Sequence, residues 1–117
     1  MPAAAALLLL ALALGCRVAD DPPAPLDVHQ ASSAQATTLT LIAAPGVRIN
    51  ARVKPALELR DGSVLRFDSP PLTADSAYFT EAPTATLPGR GRRVSGTLRA
   101  SVCSERELVC RSVTLEL

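Results

Sequence analysis

From Thr37 to the end of the chain, apolar and polar residues alternate with a period of two, the repeat of a half-buried strand. Leu39, Leu41 and Ala43 alternate with Thr38, Thr40 and Ile42. After the Pro45-Gly46 turn, Val47, Ile49, Ala51 and Val53 alternate with Arg48, Asn50, Arg52 and Lys54, which predicts a strand with one wet face. Leu57 and Leu59 flank Glu58, and Asp61-Gly62 is a hairpin turn leading into Val64–Phe67. Asp68–Ser76, with Pro70 and Pro71, predicts a loop. Ala77–Thr80 and Thr84–Leu87 predict short strands, and Pro88–Gly91 a further turn.

The last two strands carry the most information. Val94, Gly96, Leu98, Ala100 and Val102 share one face, and Ser95, Thr97, Arg99, Ser101 and Cys103 the other. In the closing strand Val109, Val113, Leu115 and Leu117 share a face, with Arg111 the exception; Cys110, Ser112, Thr114 and Glu116 lie opposite. Pairing Cys103 with Cys110 in an antiparallel hairpin sets Ala100 against Val113, Leu98 against Leu115 and Ser101 against Ser112. It also sets Arg99 against Thr114 and Thr97 against Glu116. Apolar meets apolar and polar meets polar, an agreement that a one-residue slip destroys. The register therefore allows the two cysteines to bridge on the polar, accessible face at the turn end of the hairpin. Many short strands, Pro/Gly turns and no helical period predict an all-β antiparallel sandwich of immunoglobulin-like arrangement. At about 80 residues it is short for that fold, so an incomplete sandwich fits as well.

The chain before Thr37 is different. Ala3–Leu14 is an unbroken apolar run, and as a helix it spans about 18 Å, too short for a ~30 Å hydrocarbon core. It suits the core of a signal peptide covering residues 1–15. The run closes on Ala13-Leu14-Gly15-Cys16, which resembles the bacterial lipobox, where the Cys becomes the lipid-bearing first residue. The chain has three cysteines; acylation of Cys16 explains the odd one and leaves Cys103 and Cys110 as a pair in a compartment that permits disulfides. Residues 16–36 hold Pro22, Pro23 and Pro25 with scattered polar residues. They predict a flexible tether between the lipid and a domain spanning 37–117. His29, the only histidine, falls in that tether as a solvated side chain.

Composition narrows the chemistry. A net charge of +1 and dispersed arginines give no nucleic-acid footprint. With no histidine after Thr37, no Ser-His or Cys-His pair forms within the domain, and two cysteines alone leave a zinc site incomplete; no cofactor or metal is implied. Aromatics are limited to Phe67, Tyr78 and Phe79, so a core of Val, Leu, Ile and Ala gains from a disulfide, which contributes about 2.5 kcal/mol for so small a ring. The residues alone leave two readings open: a bond that only staples the hairpin, and a bond between adjacent strands that exchanges with a partner thiol.

Two segments resemble the DsbD amino-terminal domain family, the disulphide-bond corrector domains. The first is Pro45-Gly46-Val47-Arg48-Ile49-Asn50 followed by Pro55-Ala56-Leu57-Glu58-Leu59, with Val47-Arg48 where the family has an aromatic and a His. The second is Val94 to Cys103, a short loop, then Cys110 and a closing apolar strand. The resemblance covers the domain from Thr37 to Leu117. It implies an immunoglobulin-like fold and a periplasm-facing relay in which Cys103 and Cys110 take reducing equivalents from a thioredoxin-like partner and hand them on. It also implies an aromatic cap over the cysteines, for which Phe67, Tyr78 and Phe79 are the candidates. The whole is then a cell-envelope lipoprotein held to a membrane through Cys16.

Overall fold

A computed structural model describes residues 24–68, 71–89 and 91–117. The signal segment, Cys16 and the start of the tether lie outside these residues. Eight strands follow one another: β1 (Leu26–Ser32), β2 (Ala36–Ala43), β3 (Val47–Ile49), β4 (Ala56–Leu59), β5 (Val64–Arg66), β6 (Thr84–Pro88), β7 (Gly96–Ser104) and β8 (Cys110–Glu116). All pairings between them are antiparallel. They form two sheets, β1-β2-β6 and a second built from β3, β4, β5, β7 and β8.

The second sheet is simpler than its strand count. β8 runs along one edge of β7 from Thr97 to Cys103. β3, opposite Ser104–Val102, and β4, opposite Arg99–Gly96, must therefore share the other edge. They are two halves of one strand, separated by the excursion of residues 50–55. Taken once, that strand gives seven positions in the order β1-β2-β6 facing β5-β3/β4-β7-β8. This is an immunoglobulin-like sandwich with its fourth strand carried on the second sheet.

Alternation along the strands builds the core. Leu26, Leu39, Leu41 and Ala85 from the first sheet pack with Ile49, Leu57, Leu98, Ala100 and Val102 from the second, and Phe67 joins them. Each large side chain taken out of water contributes about 1.5–3 kcal/mol. Gly96 is required where β7 meets β4, because a Cβ there would run into the Glu58 carbonyl oxygen. At the β4–β5 hairpin Gly62 has φ +86°, and the Ser63 N–H donates to the Asp61 carboxylate, as the Asp-Gly signal predicts.

Three expectations need correction. The stretch read as tether contains β1, which pairs with β2 from Leu26 opposite Ala43 to Ser32 opposite Thr37. Leu26 is buried in the core, so the folded domain begins well before Thr37. The strand was hidden by Gln30, a polar residue on the inward parity of Leu26 and Val28. Its amide donates to the Val94 carbonyl and accepts from the Val94 N–H, closing the end of the sandwich. His29 lies on the exposed parity of β1, opposite Thr40.

The strand expected over Val47–Lys54 stops at Ile49. Asn50 turns the chain by accepting the Arg52 N–H through its side chain, and the Ala51 N–H leaves the sheet for the Ala77 carbonyl. The strand expected over Ala77–Thr80 is reduced to isolated bridges, Asn50 with Tyr78 and Leu72 with Phe79. Alternation over four residues resembles a strand, but only a neighbouring backbone makes it one.

Candidate functional site

The β7–β8 register is the one the residue pattern requires. Cys103 lies opposite Cys110, Ser101 opposite Ser112, Ala100 opposite Val113, Leu98 opposite Leu115 and Thr97 opposite Glu116. The two cysteines are joined by a disulfide, with Cα atoms 3.9 Å apart. They occupy a non-hydrogen-bonded position of the ladder, where facing side chains are closest. The Ser104 N–H donates to the Val109 carbonyl just beyond the pair, and Gly96 and Leu117 exchange both bonds at the far end. That parity runs unbroken along the hairpin.

The connection after β7 is held by Ser104, whose Oγ accepts the N–H groups of Arg106 and Glu107 and whose carbonyl accepts the Leu108 N–H. Leu108 has φ +53° and is 82% exposed. A left-handed leucine beside the disulfide is uncommon, because a Cβ disfavours that region.

The two halves of the disulfide differ in access. Cys110 is exposed, whereas Cys103 is only 2% exposed. The expectation that both lie open on the polar face holds for Cys110 and not for Cys103. The difference is one of position in the sheet. Among the described residues β8 is an edge strand, so Cys110 has a paired strand on one side only. β7 is flanked by β8 and β3, so Cys103 has Cys110 on one side and Arg48 on the other.

Arg48 is the residue that pattern reasoning passed over. It faces Cys103 across the β3–β7 ladder. Its Nε donates to Glu105 Oε1 at 3.3 Å, and its guanidinium carbon lies 5.4 Å from the centroid of the Tyr78 ring. The wet parity of Val47–Ile49 placed Arg48 on an outer face, but only the pairing of β3 with β7 brings it beside a cysteine. Next to it, the Asn50 side-chain amide donates to Ser101 Oγ at 3.3 Å. The polar end of the sheet is thus cross-tied from β3 to β7.

The three aromatic candidates separate. Phe67 is fully buried and belongs to the core, so it is not a cap. Tyr78 is half-buried under the Arg48 guanidinium, one side chain removed from Cys103. Phe79 is half-buried and packs against the core. Both Tyr78 and Phe79 line a cleft of about 530 Å³ with Ile42, Val47, Arg48 and Glu105. A smaller depression of about 320 Å³ reaches Cys103 itself between Val47, Val102, Glu107, Val109 and Arg111.

Chemically the site offers one two-electron couple, an exposed sulfur-bearing residue bonded to a sheltered one. No cluster of three potential metal ligands occurs among the described residues. Comparison with protein-family models, curated proteins and solved structures finds no match to this chain.

Proposed function

We propose that this protein is a lipid-anchored protein of the bacterial cell envelope that performs thiol–disulfide exchange through Cys103 and Cys110. In this reading it takes reducing equivalents from a thioredoxin-like partner, as the resemblance to the DsbD amino-terminal domain family implies, and Cys16 carries the lipid. The observation that carries the reading is the exposed Cys110 at the end of an edge strand, bonded directly across to Cys103. Arg48 supports it as the cationic residue on the strand position facing Cys103.

One observation favours a second reading, a binding domain whose disulfide only staples the hairpin: Cys103 is buried like a structural cysteine. Equilibration in redox buffers, with the free-thiol content read by mass, separates the two. Exchange requires a reduction potential above roughly −300 mV, the level below which structural bonds resist reduction. A bond that stays closed in the presence of a thioredoxin-like reductant rejects the exchange reading and leaves the staple.

A further inference from the structure

The ladder parity of β8 has a consequence for what this protein exchanges with. Because Cys110 sits in a non-hydrogen-bonded pair with Cys103, its own N–H and C=O point away from β7. Ser112, Thr114 and Glu116 share that parity. All four present their backbone groups to the outer edge of β8, and all four are exposed residues. Among the described residues no strand pairs with that edge. An unpaired row of donors and acceptors is a template for one more strand.

We propose that β8 is the docking edge for an extended polypeptide segment carrying an oxidised cysteine, which pairs along Cys110–Glu116 and is reduced there. The inference rests on the exchange reading above and names its client. A residue of the added strand opposite Cys110 would put its side chain on the same face as both cysteines. Its Cα would lie about 5.5 Å from that of Cys110, within the span a disulfide requires. The client sulfur, the Cys110 sulfur and the Cys103 sulfur then stand side by side on three adjacent strands. That row suits in-line displacement at the central sulfur.

The exchange balances. In the reduced protein the Cys110 thiolate attacks the client cysteine in its disulfide, forming a mixed disulfide and releasing the other half of the client as a thiolate. The Cys103 thiolate then attacks the Cys110 sulfur, reforming the internal bond and releasing the client cysteine as a thiolate. Two electrons pass to the client, and the two protons lost by Cys103 and Cys110 end on the two client thiols.

The test uses a Val/Thr-rich peptide with one central cysteine, disulfide-bonded to glutathione, and oxidised glutathione itself as a substrate with no strand. The readout is the ratio of the two reduction rates by the reduced protein. Thr114→Pro removes an outward N–H without touching the ladder to β7, a position proline tolerates on an edge. It should lower the ratio by about fivefold, the effect of one lost hydrogen bond; an unchanged ratio overturns the edge. A measurement free of any proline variant uses Cys103→Ser protein trapped with the peptide. Amide exchange at Ser112, Thr114 and Glu116 should slow by about tenfold on trapping, and unchanged exchange rejects strand addition. The same amides protected without peptide, with a mass that rises with concentration, would assign the edge to a second copy and overturn the proposal. Failure to reduce either substrate removes the exchange reading itself, whereas equal handling of both removes only the docking edge.

Discussion

Arg48 and Cys103 face each other across the β3–β7 ladder, and the same guanidinium covers the Tyr78 ring at 5.4 Å and pairs with Glu105. One side chain thus connects the sheltered half of the disulfide to the segment that follows the Asp68–Ser76 loop. When the bond opens, charge develops at Cys103, and Arg48 is the cationic residue facing it across the ladder, its guanidinium shared with Glu105.

Arg48→Ala should slow reduction of the Cys103–Cys110 bond by about threefold at low ionic strength, because release of the Cys103 thiolate loses its neighbouring cation. Stopped-flow reduction with a small dithiol measures this. The gap should narrow in about 1 M salt, where exposed charges are screened. Arg48→Lys keeps the charge but not the flat stacking surface over Tyr78, so it should recover most of the rate. Equal rates for Ala, Lys and wild type would show that Arg48 only packs.

Replacing both cysteines, Cys103→Ser with Cys110→Ser, should lower stability by about 2.5 kcal/mol through the freed unfolded chain. Thermal unfolding followed by circular dichroism should show Tm falling by about 10 °C or more for a domain of this size. The staple and the exchange readings share this outcome, since a redox bond also crosslinks the chain. They part on electron transfer, which the double variant abolishes only if exchange is the function.

Phe67→Ala should cost about 3–5 kcal/mol, as for other large side chains cut from a closed core. Phe67 is fully buried and its N–H donates to the Pro55 carbonyl, so it spans the gap between β5 and the excursion that breaks β3 from β4. A mobile cap over the cysteines would tolerate truncation. The check is a urea midpoint for Phe67→Ala beside Tyr78→Leu. The tyrosine variant loses the contact with Arg48, about 0.5–1 kcal/mol, and should fall much less.

The hairpin of β7 and β8 was fully legible in the sequence because its two strands are adjacent and their side chains pair like with like. Cys103 against Cys110 followed from Leu98 against Leu115 as much as from the sulfurs. Its burial was not legible, since that depends on Arg48, more than 50 residues earlier in the chain. No local pattern reports which strand lies on the far side of β7. β1 was missed for a related reason. Leu26 and Val28 alternate correctly, but Gln30 takes the next inward position by bonding Val94, and three prolines just upstream suggested a linker. Asn50 cut a convincing alternating run because its side chain offers the Arg52 N–H a local partner that competes with the ladder. Phe67 and Tyr78 were indistinguishable by type and position; only the packing separates a core ring from one stacked under a cation.

Acid should loosen the segment that carries Tyr78 before it unfolds the sandwich. The carboxyl of Asp75 is held below its ordinary value of 3.8, chiefly by the Thr73 hydroxyl and then by the Ala77 N–H. Thr73 Oγ1 in turn accepts the Tyr78 N–H at 3.1 Å, so Asp75 organises the turn that presents the ring to Arg48. A folded value below the unfolded one means that the contribution is present above about pH 4 and is lost as pH falls through the lowered value. Asp61, lowered in the same direction by the Ser63 hydroxyl and N–H, acts likewise at the β4–β5 turn. Amide shifts of Ala77 and Tyr78 should therefore titrate together below about pH 4. Asp75→Asn should remove that titration, and with it the part of the acid sensitivity of the urea midpoint that belongs to this turn, while leaving the Asp61 part intact. If Ala77 and Tyr78 shift with pH in the Asn variant as in wild type, the turn does not depend on the Asp75 carboxylate.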